Sequence, residues 1–277
     1  MTSLLEKAST FFSSHIPQFR FPIQSGNNTR VVLSALSAAV VAFTLPRVYR
    51  DYRTFLSYGP GGVPYNLIGW FAASVILPPW GREMFSTGVY DAKIAAGETT
   101  SYLGDEWNSM RKRDHRPEVG PHIVPQRQIT EFPSEEIKEK LNRDFYAFAN
   151  RNQHLVALAP SKLELHADAL FLADGLLPTP AAKQMRGEIA HIHRLKDFSL
   201  HLTLAPADCK KVIEAGWGQR HRLSGVQVPK ALFGGKVISL PSEYLLIYAP
   251  RTEQEAAFVM EIIDASVKHM TGSLEVR

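Results

Sequence analysis

The stretch EIAHIHRLKDFSLHLTL, residues 188–204, decides how this chain folds. From Ser199 to Leu204 it alternates strictly: Ser199, His201 and Thr203 against Leu200, Leu202 and Leu204. Successive side chains of a strand point to opposite faces, so this pattern predicts a strand with one polar and one apolar face. Glu188 to His193 is read as a second strand, with His191 and His193 sharing a face. Lys162 to Asp168 alternates as strictly. It is expected to set Lys162, Glu164, His166 and Asp168 opposite Leu163, Leu165 and Ala167. Ile238 to Tyr248 reads as a further strand.

Helices flank these strands. Ser134 is placed to cap a helix running to about Asn150, with Ile137, Leu141, Phe145 and Phe148 on one face. Pro206 to Ala215 reads as a short helix closed by Gly216. Thr252 and Glu255 form a capping box for a final helix, whose buried side is Phe258, Val259, Ile262, Ile263, Val267 and Met270. From Pro117 to Pro133 the chain reads as extended and irregular. Bunched strands with helices before and after predict a single α+β domain on a mainly antiparallel sheet.

Bulk properties narrow the classes. The chain has 277 residues, 45% of them hydrophobic and 21% charged, enough for a real core. A net charge of +4, with the Arg111-Lys112-Arg113 cluster flanked by acids, argues against a nucleic-acid partner. Cys209 is the one cysteine, so no internal disulfide can form, and it is read as structural. No Gly-x-Ser-x-Gly elbow, Rossmann fingerprint or flavin motif is present. Gly59-Pro60-Gly61-Gly62-Val63-Pro64 is a turn, not a phosphate loop, since no Gly-Lys-Ser/Thr follows.

Val31 to Leu45 carries no charge, with Arg30 before it and Arg47, Arg50 and Arg53 after it. It reads as a membrane anchor over 31–49, spanning or peripheral, behind an N-terminal tail of residues 1–30. The alternatives are a buried core helix or a transit peptide. The basic excess after the run places the C-terminal bulk in the cytoplasm, at a membrane such as the endoplasmic reticulum. Leu67 to Leu77 is apolar but too short to span. It is expected to be interfacial, re-entrant or docked on the domain, within a linker and helical region covering 50–115. Residues 116–277 then form the globular domain.

Five histidines, His166, His191, His193, His201 and His221, lie in or near the expected strands. If those strands are neighbours, one sheet face gathers several imidazoles and carboxylates. Three readings stay open: an acid/base site that takes a proton from an acidic enol; an iron or other divalent-metal site at His191, His193 and His201 with Glu164 or Asp168; or a solvated polar face. Gly216-Trp217-Gly218-Gln219-Arg220-His221 reads either as a turn presenting Trp217 and Arg220 to a planar anionic ligand or as a helix end with Trp217 in the core. Tyr248 and Arg251, in Tyr248-Ala249-Pro250-Arg251, are further binding candidates.

These motifs resemble the fungal luciferases. The likeness is carried by Gly187 to His193, Phe198 to Leu204 and Gly216 to His221, and by Ser161 to Ala167, Tyr248 to Arg251 and Pro125 to Gln128. Arg50 to Leu56, Gly59-Pro60 and the apolar segment before them match too, in the same order along nearly the whole chain. The resemblance implies a membrane-anchored oxygenase that oxidises a styryl hydroxypyrone, 3-hydroxyhispidin, with molecular oxygen. A peroxide forms, carbon dioxide leaves, and an excited caffeylpyruvate emits light, with no organic cofactor or metal required. The alternatives are a non-luminous homologue acting on another polyketide or phenolic compound, and a non-catalytic ligand-binding membrane protein.

Overall fold

The computed structural model describes residues 27–229 and 238–277; the expected N-terminal tail lies outside them up to residue 26. The described chain forms two units, one up to Asp51 and one from Tyr52 to Arg277. The described residues of the first belong to helix α1 (Asn27–Ser57), which continues into the second. Asn28–Ser57 is long and apolar enough to cross a membrane, a test that a signal sequence also passes. The helix runs through Pro46, whose ring costs one backbone bond.

The second unit is α+β, as its pattern predicts. Short elements open it: α2 (Leu67–Phe71), capped by the Asn66 side chain, a π turn (Ala72–Ile76), a 3-10 turn (Pro78–Trp80) and α3 (Gly88–Ala95). Ser134 caps α4 (Glu135–Arg151), accepting from the Ile137 N–H. The remaining helices are α5 (Pro180–Gln184), α6 (Pro206–Glu214) and α7 (Glu253–Thr271). Thr252 caps α7 through the Glu255 N–H, and Gly272, at φ 73°, ends it in the left-handed region that glycine tolerates.

Six strands make one antiparallel sheet: β1 (Val156–Pro160), β2 (Asp168–Leu172), β3 (Glu188–Ile192), β4 (Leu200–Thr203), β5 (Gly218–Arg220) and β8 (Tyr244–Ile247). Their order is β1-β2-β3-β4-β8-β5. β6 (Gln227–Val228) and β7 (Ile238–Ser239) form a separate ribbon. The apolar side chains of the large sheet, Leu170, Ala190, Ile192, Leu200, Leu202, Leu245 and Ile247, share a core with Leu141, Phe145 and Phe148 of α4 and Val259, Ile262 and Ile263 of α7. Residues 50–115, expected as a linker and interfacial stretch, contribute Tyr90, Leu103 and Trp107 to this core.

Two strand expectations are corrected. Of Lys162 to Asp168, residues Lys162 to Ala167 form a turn between β1 and β2, and only Asp168 is in a strand, as the first residue of β2. The Ser161 hydroxyl accepts from the backbone N–H groups of Leu163 and Glu164, Leu165 sits at φ 69°, and the Ser161 N–H donates to Ala167 O, closing the loop. A side chain that satisfies local backbone donors competes with strand pairing. The expected strand Ile238 to Tyr248 is broken at Pro241, which has no N–H for a ladder; Tyr244 N–H turns back to Pro241 O.

Candidate active site

The sheet register builds the site. Ala169, His191, His201, Leu246 and Gln219 are partners in one row across β2, β3, β4, β8 and β5. Their neighbours along each strand form the apolar core, so this row lies on the other face. Ring centroids of His191 and His193 are 5.4 Å apart, His191 and His201 5.5 Å, His193 and His201 4.9 Å, and His201 and His221 5.2 Å. Tyr244 stacks on His201 at 4.9 Å. All five side chains are buried.

A β-bulge adds a residue that parity would exclude. Leu170 pairs with Ala190, but Phe171 pairs with Glu188, so Ile189 is the extra residue. The bulge lets Glu188 reach His191, three positions on, with Nδ1 and Oε1 2.7 Å apart. Glu188 also accepts from the Ser161 hydroxyl at 2.6 Å and the Lys162 N–H at 2.8 Å. Burial works to raise its pKa, but the bonds from His191, Ser161 and Lys162 outweigh it and hold the carboxyl below its usual range.

Each imidazole tautomer follows from its partners. His191 Nδ1–H faces the Glu188 carboxylate. The Ser199 hydroxyl donates to Asp197 Oδ2 at 2.6 Å, so it accepts the Nδ1–H of His193 at 2.9 Å. Leu245 O accepts the Nδ1–H of His201 at 2.9 Å. Three Nε2 lone pairs are thereby left for chemistry. His221 is reversed: its Nδ1 accepts from the Leu223 N–H at 3.0 Å, which leaves an Nε2–H donor. Burial is the main force lowering the pKa of His193 and His201, with neighbouring cations and imidazoles adding to it, and it takes His221 down to about 3. Burial raises the pKa of Asp197, against bonds from Ser199 and the Gln128 N–H.

Arg127 supplies a buried cation. It donates to Glu164 Oε1 at 2.5 Å and to Pro60 O at 3.2 Å. Glu164 Oε2 lies 4.0 Å from His193 Nε2, which has no hydrogen-bond partner among the described residues. A Cβ on Gly61 would overlap both Arg127 and Glu164, so only glycine lets the loop approach this pair. Glu164, His191 and His193 each offer a ligand atom, all within 4.8 Å of one another, and among the described residues they form a group that could hold a metal.

The expected site residues divide. His191, His193, His201, His221 and Glu164 come together. His166 does not: it is exposed on the turn that replaces the expected strand. Trp217 is buried in the apolar core, where it meets Trp107 at 6.2 Å and Phe258 at 5.5 Å, edge to face, and donates to Arg111 O. It therefore packs the core rather than a ligand. Arg220 alternates with Gln219 and His221, and its guanidinium lies 6.0 Å from the Tyr90 ring. The Tyr248 hydroxyl donates to Gln219 Oε1 at 2.9 Å, beside Arg113. Arg251 is paired with Glu255, Asp114 and Glu131, which offset its place at a helix start. A groove of about 550 Å³ beside α4 and α7, lined by Trp107, Phe148, Met260 and Asp264 among others, carries no histidine.

Glu188, Arg127, Asp197 and Tyr244 were not singled out from sequence. The signal for Glu188 was its spacing to His191, which reads as opposite faces unless the bulge is known.

Comparison with known proteins identifies relatives. A family model described as Luciferase domain matches residues 186–266, which include β3, β4, β5, β8 and four of the site histidines. A protein named luciferase from Armillaria gallica is 36% identical over 262 residues, covering 89% of this chain and 91% of that one. A luciferase from Armillaria mellea is 37% identical, covering 85% of each chain. A luciferase from Neonothopanus nambi is 33% identical, covering 90% of each. No solved structure matches. Likeness of this extent, running through the strands that carry the histidine face, means that the chain belongs to the fungal luciferase family.

Proposed function

We propose that this protein is a luciferase-type oxygenase that deprotonates the enol of a hydroxypyrone of the 3-hydroxyhispidin type and delivers the anion to molecular oxygen. The relatives named luciferase support the general activity. The observation that carries the mechanism is the Glu188–His191 pair on a buried face. His191 Nε2 takes the enol proton while the Glu188 carboxylate steadies the imidazolium that forms. The electron-rich carbon of the enolate then bonds to oxygen, and both electrons of the new bond come from the substrate. The Nε2–H of His221 and the Arg127 guanidinium face the negative charge that passes to oxygen. Ring closure of the peroxide and loss of carbon dioxide complete the balance: substrate plus oxygen gives product plus carbon dioxide, in an excited state where light is emitted. We place α1 in the membrane as the anchor, with the domain on the cytoplasmic side of a membrane such as the endoplasmic reticulum.

The test mixes detergent-solubilised full-length protein with 3-hydroxyhispidin in air and records light, oxygen uptake and product mass together. Light with oxygen uptake is expected. Oxygen uptake in the dark would keep the oxygenase and remove the emitter. Neither, from folded protein, would overturn the reading.

One observation favours a second reading. The Nδ1 atoms of His191, His193 and His201 are all tied away from the centre, the arrangement that metal-ligating histidines commonly show. On this reading Glu164, His191 and His193 would hold a divalent metal, which would supply Lewis-acid or redox chemistry beside the substrate. Elemental analysis of the purified protein, with turnover before and after chelation, separates the two: stoichiometric metal and loss on chelation would favour the metal, full turnover without it the imidazole base.

A further inference from the structure

The segment after α1 carries its bulk on the outside. α2 and the following turns bury Gly69, Ala73 and Leu77, while Leu67, Ile68, Phe71 and Val75 are exposed, Ile68 by 73%. Tyr65 is exposed beside them. No Asp, Glu, Lys or Arg occurs from Thr54 to Gly81, and Arg53 and Arg82 close the two ends. A continuous outward apolar face is unusual on a water-facing surface, and a short helix with aromatic residues at its margins suits the boundary between headgroups and acyl chains. The segment is also tied to the end of α1: the Tyr52 and Trp70 rings meet at 5.9 Å, and the Tyr65 hydroxyl donates to Leu56 O at 2.5 Å. The chain upstream is the apolar helix already long enough to span. That continuity argues for lipid over a second protein chain.

The inner side of this segment leads to the histidine face. α2 is pressed on the loop 59–64: a Cβ on Gly69 would overlap Pro64, and the Asn66 N–H donates to Pro64 O at 2.9 Å. At the other end of the loop, Gly61 lies against Arg127 and Glu164, and Pro60 O accepts from Arg127. Gly69 and Asn66 thus link the inner side of α2, through the loop 59–64, to the buried ion pair.

We propose that the 65–76 face docks into the surface layer of a phospholipid bilayer, and that the loop 59–64 is the portal through which an apolar planar substrate passes from bilayer to histidine face. The portal rests on the proposed oxygenase reading; the docking does not.

The test uses the full chain in nanodiscs of phosphatidylcholine and phosphatidylglycerol. Ile68→Cys, labelled with an environment-sensitive fluorophore, is compared with Leu177→Cys in an exposed loop; Cys209 is buried and takes no label. Docking predicts blue-shifted emission at position 68, quenched by lipids spin-labelled near the headgroup, and water-like emission at 177. Water-like emission at 68 would overturn it, as would a blue shift that no lipid quenches, which would mean a protein partner. For the portal, Ile68→Glu with Phe71→Glu should raise KM on the order of 10-fold for pyrone presented in vesicles, leave kcat unchanged, and have no effect in detergent. Lipid-quenched label with unchanged KM would overturn the portal alone. Absence of pyrone turnover in the wild type would point instead to failure of the oxygenase reading, with docking still decided by the label.

Discussion

The two faces of the central sheet use the same strands for opposite purposes. On β4, Leu200 and Leu202 enter the apolar core with α4 and α7, while His201 points the other way into a cluster of imidazoles. The apolar face is held by area removed from water and has no preferred chemistry. The histidine face is held by directed bonds, and its burial is a cost that those bonds offset. Stability and reactivity are thus separated by one residue of register, which implies that substitutions on the two faces should separate activity from stability.

The largest expected effect is on activity. His191→Ala should lower turnover by about 10²- to 10⁴-fold, the range for a general base, with little change in Tm, because Glu188 keeps its bonds from Ser161 and Lys162. Full activity would remove the acid/base role. Next, Leu202→Ala on the opposite face should cost about 2–5 kcal/mol of stability in a denaturant melt. A variant that stayed stable but lost activity would break the division between the faces. Glu188→Gln keeps the shape and removes the charge beside His191, so it should lower activity by about 10- to 100-fold in a turnover assay.

A smaller effect is expected from pH. His193, His201 and His221 are held neutral in the fold, so the unfolded chain takes up protons first as pH falls. Stability should be full above about pH 6.5 and decline below it, for His221 down to about 3, by up to ~1.4 kcal/mol per pH unit per histidine. Asp197 acts with the opposite sign, losing stability as pH rises from 3.8 toward its raised pKa. Melts between pH 8 and pH 5 check the sum; a flat profile would mean that these groups are not neutral and buried. Smallest of all, His166→Ala should change activity and stability little, since the side chain is exposed.

Where sequence reading succeeded, one period ruled the segment. The α4 and α7 faces were legible because burial set their pattern, and the strand at 199–204 because one of its two buried faces is apolar and the other polar. Lys162 to Asp168 alternated too, but Ser161 captured its backbone donors and turned the chain, which carried His166 out and left Glu164 in. β1 was missed because three of its five residues are exposed, so its apolar letters carry no clear period. Arg127 lies in the irregular segment, where only tertiary contact with Glu164 and Pro60 gives it a role. Arg220 and Trp217 share a motif with His221, yet alternation and the core claimed them.

The bulge at Ile189 behaves like a frame shift written in three dimensions. What it contributes is a length, one residue more on β3 than on its partner, and no side-chain replacement at that position can undo it. An ordinary register, with Ile189 paired to Phe171, would swing Glu188 toward the apolar side, separating the carboxylate from its imidazole and burying a charge among leucines. Any relative that acts through this pair must match the spacing of the two residues to the presence or absence of the bulge, so gaps in an alignment at this strand would be more informative than substitutions.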